Sequence, residues 1–108
     1  MLNSVIRGIR SPREQEVLDK TIHVLIQHLD PNAVILFGSR AKGTAAPGAD
    51  FDLAMDREKP EAVVARRIQE DIDPFAGLYG VDIVYLKNVD EAFRRLVLNT
   101  GQVVYERD

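Results

Sequence analysis

The first apolar pattern along the chain has the spacing of an amphipathic helix. Apolar side chains recur at near-helical intervals from residue 17 to residue 29: Val17, Ile22 (or Thr21), Leu25 and Leu29. Ser11–Glu14 has the order of a capping box with proline at the first helical position. We therefore predict a helix over about 12–29, which Asp30 and Pro31 end because the residue before a proline disfavours helical backbone.

Four shorter segments, rich in β-branched and apolar residues, have the length of strands. We predict strands over residues 33–37, 51–55, 81–86 and 102–106. Residues 38–49, between the first two strands, contain three glycines and a proline. This composition predicts a loop, with a short helical turn near Ser39–Lys42.

Two further helices are predicted from the second half of the chain. One begins at Pro60 and stops before Pro74, since proline interrupts helical hydrogen bonding. The other follows the capping sequence Asn88–Glu91 and runs to about Thr100, where Gly101 ends it.

This order of elements predicts an α/β (α+β) fold. The 38–49 connection is too short for a full crossover helix, so the first two strands should pair antiparallel. We expect a mixed four-stranded sheet with helices packed mainly on one face. We also expect one domain over residues 1–108, with residues 1–10 loosely ordered because they have no clear hydrophobic period.

Composition and charge exclude several functional classes. With 45% hydrophobic and 29% charged residues, the chain has an ordinary globular composition. Its formal net charge of −3 argues against broad nucleic-acid binding, which requires a positive field. The chain contains no cysteine, which excludes disulfides and thiolate catalysis. Because it lacks a long apolar run and an apolar N-terminal signal segment, we expect no membrane association and a cytoplasmic location.

Three aspartates lie on, or at the start of, the second and third predicted strands. Alternate residues of a strand point to one face, so Asp50 and Asp52 should project together, and their repulsion favours a bound Mg²⁺ or Mn²⁺. Asp82 lies in a strand that we expect to be buried, where an unpaired carboxylate is costly. If the two strands are neighbours, the three carboxylates form a cradle for two metal ions. The alternatives are a solvated strand end for the first two aspartates and a salt bridge to Lys or Arg for the third.

The segment from Gly38 to Gly43 has the features of an anion-binding turn. A strand that ends in Gly-Ser and enters a helical turn offers free backbone N–H groups to an anion. Gly38 would let the backbone approach a phosphate, and the Ser39 hydroxyl would bind a phosphate oxygen. Arg40 or Lys42 would add positive charge. The segment lacks the Gly-Lys-Ser/Thr ending of a Walker A loop, and an ordinary polar turn is the alternative interpretation.

Taken together, these segments resemble the signature of the minimal nucleotidyltransferase (MNT) family of the DNA polymerase β-like superfamily. The family pattern is Gly-Ser-Arg-Ala-Arg-Gly, five variable residues, Ser-Asp-x-Asp-Leu, and a third Asp on a later strand. Gly38–Gly43, five further residues and Ala49–Leu53 resemble it without a gap, and Val81–Val84 resembles the third element. Two positions depart from the pattern. Lys42 replaces an arginine and loses its bidentate fork, and Ala49 replaces a serine and its hydroxyl.

The resemblance implies a polymerase β-like nucleotidyltransferase fold and transfer of a nucleoside monophosphate, most often AMP from ATP. It implies that Asp50, Asp52 and Asp82 hold two Mg²⁺ ions, with Mn²⁺ as an alternative. Gly38 and Ser39 would hold the triphosphate. Asp82 would also help to accept the proton of the acceptor.

The length of the chain restricts the acceptor, because larger relatives carry an extra domain that binds it. Stand-alone proteins that resemble this one are typically antitoxins paired with a HEPN-domain ribonuclease toxin, which implies AMP transfer to a tyrosine of that partner. Two alternatives stay open: a non-catalytic antitoxin that blocks the toxin by binding, and a small-molecule nucleotidyltransferase completed by homodimerisation. The three intact aspartates favour the enzyme, since a pure binding module has no reason to cluster them.

Overall fold

The computed structural model describes residue 6 and residues 8–108 of the chain. In chain order its elements are α1 (Pro12–Leu29), β1 (Ala33–Phe37), α2 (Ser39–Lys42), β2 (Phe51–Met55), α3 (Ala62–Ala76), β3 (Val81–Tyr85), a 3₁₀ turn (Leu86–Asn88), α4 (Glu91–Thr100) and β4 (Gln102–Glu106). In the described residues the strands form one sheet in the order β3-β2-β1-β4. β1 is antiparallel to β2 and β4, whereas β2 and β3 are parallel. The predicted mixed four-stranded sheet and antiparallel first pair are confirmed.

The ends of α1 follow from local chemistry. The Ser11 hydroxyl accepts the backbone N–H of Glu14 at 3.1 Å, and Pro12 is the first helical residue. At the other end Asp30 adopts left-handed backbone, with φ of 46°, and its N–H donates to the carbonyl of Ile26 at 3.0 Å. Both predicted ends of this helix are therefore confirmed.

The sheet separates two apolar layers. Helices α1 and α3 pack on one face, where the core includes Leu18, Ile72 and Leu53. Helix α4 covers the opposite face, where Val97 packs with Ala54. Adjacent residues of β2 thus enter different layers, as the alternation of side chains along a strand requires. The prediction of helices mainly on one face is confirmed for the two longest helices, and α4 lies on the other face.

Three predicted boundaries were wrong, namely both ends of α3 and the end of β3. Helix α3 begins at Ala62 and continues through Pro74 to Ala76. Proline removes the hydrogen bond to the carbonyl four residues earlier, that of Glu70. Both residues are exposed, so water can satisfy this carbonyl. Strand β3 ends at Tyr85, one residue early, because Leu86 turns into the 3₁₀ segment.

Within the predicted loose start, the structure describes residues 6 and 8–10, and these residues contact the rest of the protein. Ile6 is 7% exposed and belongs to the core beneath α1 and α3. The carbonyl of Gly8 accepts a hydrogen bond from the Arg40 side chain at 2.8 Å. The rest of the predicted loose start, residues 1–5 and 7, lies outside the described residues. Within the described part of the chain, no helix combines the length and the apolar character needed to cross a membrane.

Candidate active site

The predicted aspartates meet where β2 and β3 begin. In the parallel register of these strands Asp52 is directly opposite Asp82, so the two side chains leave the same face of the sheet. Asp50 precedes β2, and its Oδ1 accepts the backbone N–H of Gly80 at 3.0 Å. The two strands are neighbours, which was the condition for the predicted cluster, and their pairing brings all three carboxylates to one end of the sheet.

The charges of this acidic cluster, Asp50, Asp52 and Asp82, are not neutralised by the surrounding protein. Burial, followed by the charges of Asp82 and Asp50, raises the pKa of Asp52 above its ordinary value of 3.8. In the described part of the chain, no Lys or Arg forms an ion pair with any of the three. The cluster therefore holds negative charge that a cation would stabilise.

Two expectations about the cluster need correction. Asp82 is exposed rather than buried, because β3 is an edge strand of the described sheet. The argument that an unpaired carboxylate would be costly there was therefore wrong. Also, no three His, Asp or Glu side chains among the residues described are placed to hold a metal ion together. The predicted cradle is thus not preformed, and Asp50 contacts Gly80.

The Gly38 turn lies against this cluster. The β1–β2 register pairs Phe37 with Asp52, so the residue after Phe37 lies beside that carboxylate. Gly38 has φ of 74° and ψ of −151°, a combination that side chains strongly disfavour. A Cβ atom on Gly38 would also lie 2.6 Å from Oδ2 of Asp52. Glycine is required here both by the backbone and by the adjacent carboxylate.

The other predicted phosphate-binding residues of the turn differ in exposure: Ser39 and Lys42 are exposed, and Arg40 is buried. Ser39 and Lys42 lie in α2 with exposed side chains, free of steric obstruction to a ligand. Arg40 is 2% exposed, and all three of its guanidinium nitrogens donate to protein acceptors. The prediction that Arg40 adds charge to a triphosphate is therefore corrected. Its guanidinium is directed into the protein and is already bonded there.

Sequence reasoning missed the partner of Arg40. Glu14 is 5% exposed, and its Oε1 accepts from Arg40 Nη1 at 3.0 Å and from the backbone N–H of Arg10 at 3.0 Å. Burial opposes ionisation of Glu14, but the hydrogen bonds and the charge of Arg40 outweigh it, so the pKa lies below its ordinary value of 4.5. The sequence contained an indication of this ion pair, because Glu14 lies on the apolar face of α1, three residues before Val17. A carboxylate on that face requires a buried partner.

Gly80 was also missed. A Cβ atom on this residue would lie 2.5 Å from Oδ1 of Asp50, and its N–H is the donor to the same oxygen. Gly80 therefore provides both the space and the hydrogen bond that place Asp50. The sequence signal was a glycine immediately before a strand that carries an aspartate.

An acidic cluster on adjacent strands, with a glycine turn against it, is compatible with metal-assisted phosphoryl transfer. A family model described as "Polymerase beta, Nucleotidyltransferase" matches residues 19–108. A relative from Haemophilus influenzae, named probable protein adenylyltransferase MntA, is 30% identical over 89 residues, which are 81% of this chain and 78% of the relative. The chain therefore belongs to the polymerase β-type nucleotidyltransferase family, as a homologue of MntA. The predicted family and the prediction of a nucleotidyltransferase enzyme are confirmed.

Solved structures support the same fold. A toxin–antitoxin crystal structure with AMP-PNP superposes with a TM-score of 0.68 at 21% identity, over 83% of this chain and 73% of that chain. A complex of a tri-AMPylated Shewanella oneidensis HEPN toxin with its MNT antitoxin gives a TM-score of 0.63 at 19% identity, over 86% of this chain and 72% of that chain. The predicted polymerase β-like nucleotidyltransferase fold is confirmed.

Proposed function

We propose that this chain is an antitoxin that transfers AMP from ATP, with Mg²⁺, to a tyrosine hydroxyl of a HEPN-domain toxin. The observation that carries the proposal is the pairing of Asp52 with Asp82 across parallel strands, with the Gly38 turn against Asp52. The relatives support it: one is named a protein adenylyltransferase, and fold neighbours include toxin–antitoxin complexes, one with AMP-PNP and one with an AMPylated HEPN toxin.

The donor set fits a hard divalent cation. Asp50, Asp52 and Asp82 offer carboxylate oxygens alone, which Mg²⁺ prefers, and the raised pKa of Asp52 indicates that positive charge is needed there. When bound, Mg²⁺ ions supply charge neutralisation at the phosphoryl group in transfer. Asp52 and Asp82 would bind from adjacent strands, and Asp50 would complete the set; Mn²⁺ satisfies the same ligands.

In the proposed transfer, one group of residues would bind the triphosphate and Asp82 would act on the acceptor. Gly38, the Ser39 hydroxyl and the Lys42 ammonium group would hold the triphosphate beside the carboxylates. The acceptor oxygen forms a bond to the α-phosphorus of ATP, the bond from that phosphorus to the bridging oxygen breaks, and pyrophosphate leaves. Asp82, exposed at the sheet edge, would accept the proton of the acceptor hydroxyl.

The test uses the purified chain, Mg²⁺ and the protein encoded by the neighbouring gene, with ATP labelled at the α- or the γ-phosphate. We expect covalent label on the partner from α-labelled ATP alone, and none with an Asp50→Ala/Asp52→Ala variant. If the partner is bound and silenced equally by wild type and variant, without label, the catalytic proposal fails and a binding antitoxin remains. Transfer to a small molecule by a stable homodimer would instead support the small-molecule enzyme.

A further inference from the structure

Arg40 and Glu14 form an ion pair inside the protein, apart from the groups that would react. Their side chains are 2% and 7% exposed, and Nη1 of Arg40 lies 3.0 Å from Oε1 of Glu14. A buried ion pair is weak as a source of stability, because desolvation of both charges offsets their attraction. An arginine within the signature turn, held in this way, therefore needs an explanation other than stability alone.

The contacts of Arg40 lie on the segment that carries the acidic cluster. Its Nε and Nη2 atoms donate to the carbonyl of Ala49 at 3.1 and 2.5 Å, and Nε also lies 3.3 Å from the carbonyl of Asp50. Its guanidinium lies over the ring of Phe51, 4.1 Å from the centroid. Three consecutive residues before Asp52 are thus held by one side chain.

The opposite edge of the guanidinium is bound to the start of the chain. Nη1 of Arg40 donates to the carbonyl of Gly8 at 2.8 Å as well as to Glu14. Glu14 is itself held by the N–H of Arg10 and by its place in the first turn of α1. The planar fork of arginine can make these bonds in two directions at once, whereas the ammonium group of lysine cannot reproduce them.

We propose that Arg40, oriented by Glu14, is a positioning residue that sets the backbone from which Asp50 and Asp52 project. It thereby sets the affinity of the acidic cluster for divalent cations. The part that concerns catalysis rests on the proposed function, but cation affinity can be measured without any transfer. Groups that orient metal ligands in this indirect way change metal affinity or activity by about 10- to 100-fold.

The test compares Arg40→Met with Arg57→Met, a matched arginine at the other end of β2. Arg57 also donates to backbone carbonyls, those of Leu29 at 3.1 Å and Asp30 at 2.6 Å, but it contacts no part of the acidic cluster. Mn²⁺ binding is measured by electron paramagnetic resonance, with and without AMP-PNP, beside thermal melts and the kcat and KM of transfer.

We expect Arg40→Met to weaken Mn²⁺ binding at least about 10-fold and to lower kcat, with a smaller change in the KM for ATP. Arg57→Met should lower the melting temperature but leave Mn²⁺ binding and kcat unchanged. Arg40→Lys, which keeps the charge but not the fork, should weaken Mn²⁺ binding as well. Glu14→Gln should do so to a lesser degree, because the amide oxygen can still accept the hydrogen bonds of Arg40 and Arg10 although it carries no full charge.

Three results would overturn the proposal. The first is that folded Arg40→Met binds Mn²⁺ as tightly as wild type does. The second is that Arg40→Met raises the KM for ATP and changes nothing else, which would indicate that Arg40 binds phosphate. The third is equal loss of Mn²⁺ binding in Arg57→Met. If Arg40→Met does not fold, Arg40→Lys and Glu14→Gln decide by the same criteria. Absence of transfer by the wild type, with the Mn²⁺ contrast intact, would refute the proposed function and leave the positioning role standing.

Discussion

The close contact between Gly38 and Asp52 leads to a prediction for which Gly48, a glycine without such a contact, provides the control. Gly38→Ala adds a Cβ atom 2.6 Å from Oδ2 of Asp52, on a residue with φ of 74°. Gly48→Ala adds a Cβ atom at φ of 80°, but there it meets nothing within 4 Å. The two substitutions therefore share backbone strain and differ in whether they displace the carboxylate.

The expected magnitudes follow from this difference. A side chain in such a backbone region costs about 1–3 kcal/mol, which in a domain of this size lowers the melting temperature by about 4–8 °C per kcal/mol. Both variants should show a loss in that range. In Gly38→Ala the Asp52 carboxylate must also move away from the new methyl group, and a displacement of about 1 Å at a reacting centre can cost about 100-fold in rate.

The assay measures melting temperature, Mn²⁺ affinity and the rate of AMP transfer for both variants, well below their melting temperatures. We expect Gly38→Ala to lose transfer by about 100-fold and to bind Mn²⁺ more weakly, while Gly48→Ala keeps both properties. Equal activity in two folded variants would refute the reasoning, because it would mean that the placement of Asp52 beside Gly38 has no part in the reaction.

Three further predictions concern charge and space at the same end of the sheet. Burial and then the neighbouring aspartates raise the pKa of Asp52, so the stability that this group contributes is fully present below pH 3.8 and is lost as pH rises through the higher folded-state pKa. Asp52→Asn should therefore raise the melting temperature of the metal-free protein near neutral pH, with a gap that shrinks as pH falls through the folded-state pKa and is smallest below pH 3.8. The pKa of Glu14 is lowered instead, so the ionised Glu14 contributes stability above pH 4.5, and this stability is lost as pH falls through the lower folded-state pKa. The difference in unfolding free energy between wild type and Glu14→Gln, measured by denaturant melts, should be constant near neutral pH and disappear in acid. Gly80→Ala would place a Cβ atom 2.5 Å from Oδ1 of Asp50, and calorimetry should show weaker Mn²⁺ binding; unchanged binding would contradict the role assigned to this glycine.

Much of the fold could be predicted because local signals agree with tertiary packing. Helix α1, for example, has a serine cap at one end and an Asp-Pro stop at the other, and both operate as expected. Helix α3 differs, because no side chain caps its start and Pro74 lies in its last turn. The hydrogen bond lost there is to the carbonyl of Glu70, an exposed residue, and the sequence pattern does not reveal this exposure.

The part of the candidate site that could be predicted is the part for which residue type and the two-residue period of a strand determine the position of the side chain. Asp50, Asp52 and Asp82 are brought together because the period of two and the β2–β3 pairing place them at one end of the sheet. The role of Arg40 could not be predicted in this way. An arginine in a glycine-rich turn can pair with a phosphate or with a buried carboxylate. The sequence does not distinguish these partners, because Glu14 meets Arg40 only through the packing of α1 beside the turn.

We have proposed that the acidic cluster catalyses AMP transfer to a protein partner. The most direct measurement is the intact mass of the protein encoded by the neighbouring gene, after co-production with wild type or with Asp50→Ala/Asp52→Ala, followed by mapping of any modified residue. We expect one or more adenylyl groups on tyrosine with wild type and none with the variant. An unmodified partner in a stable complex with both proteins, or equal modification by both, would contradict it.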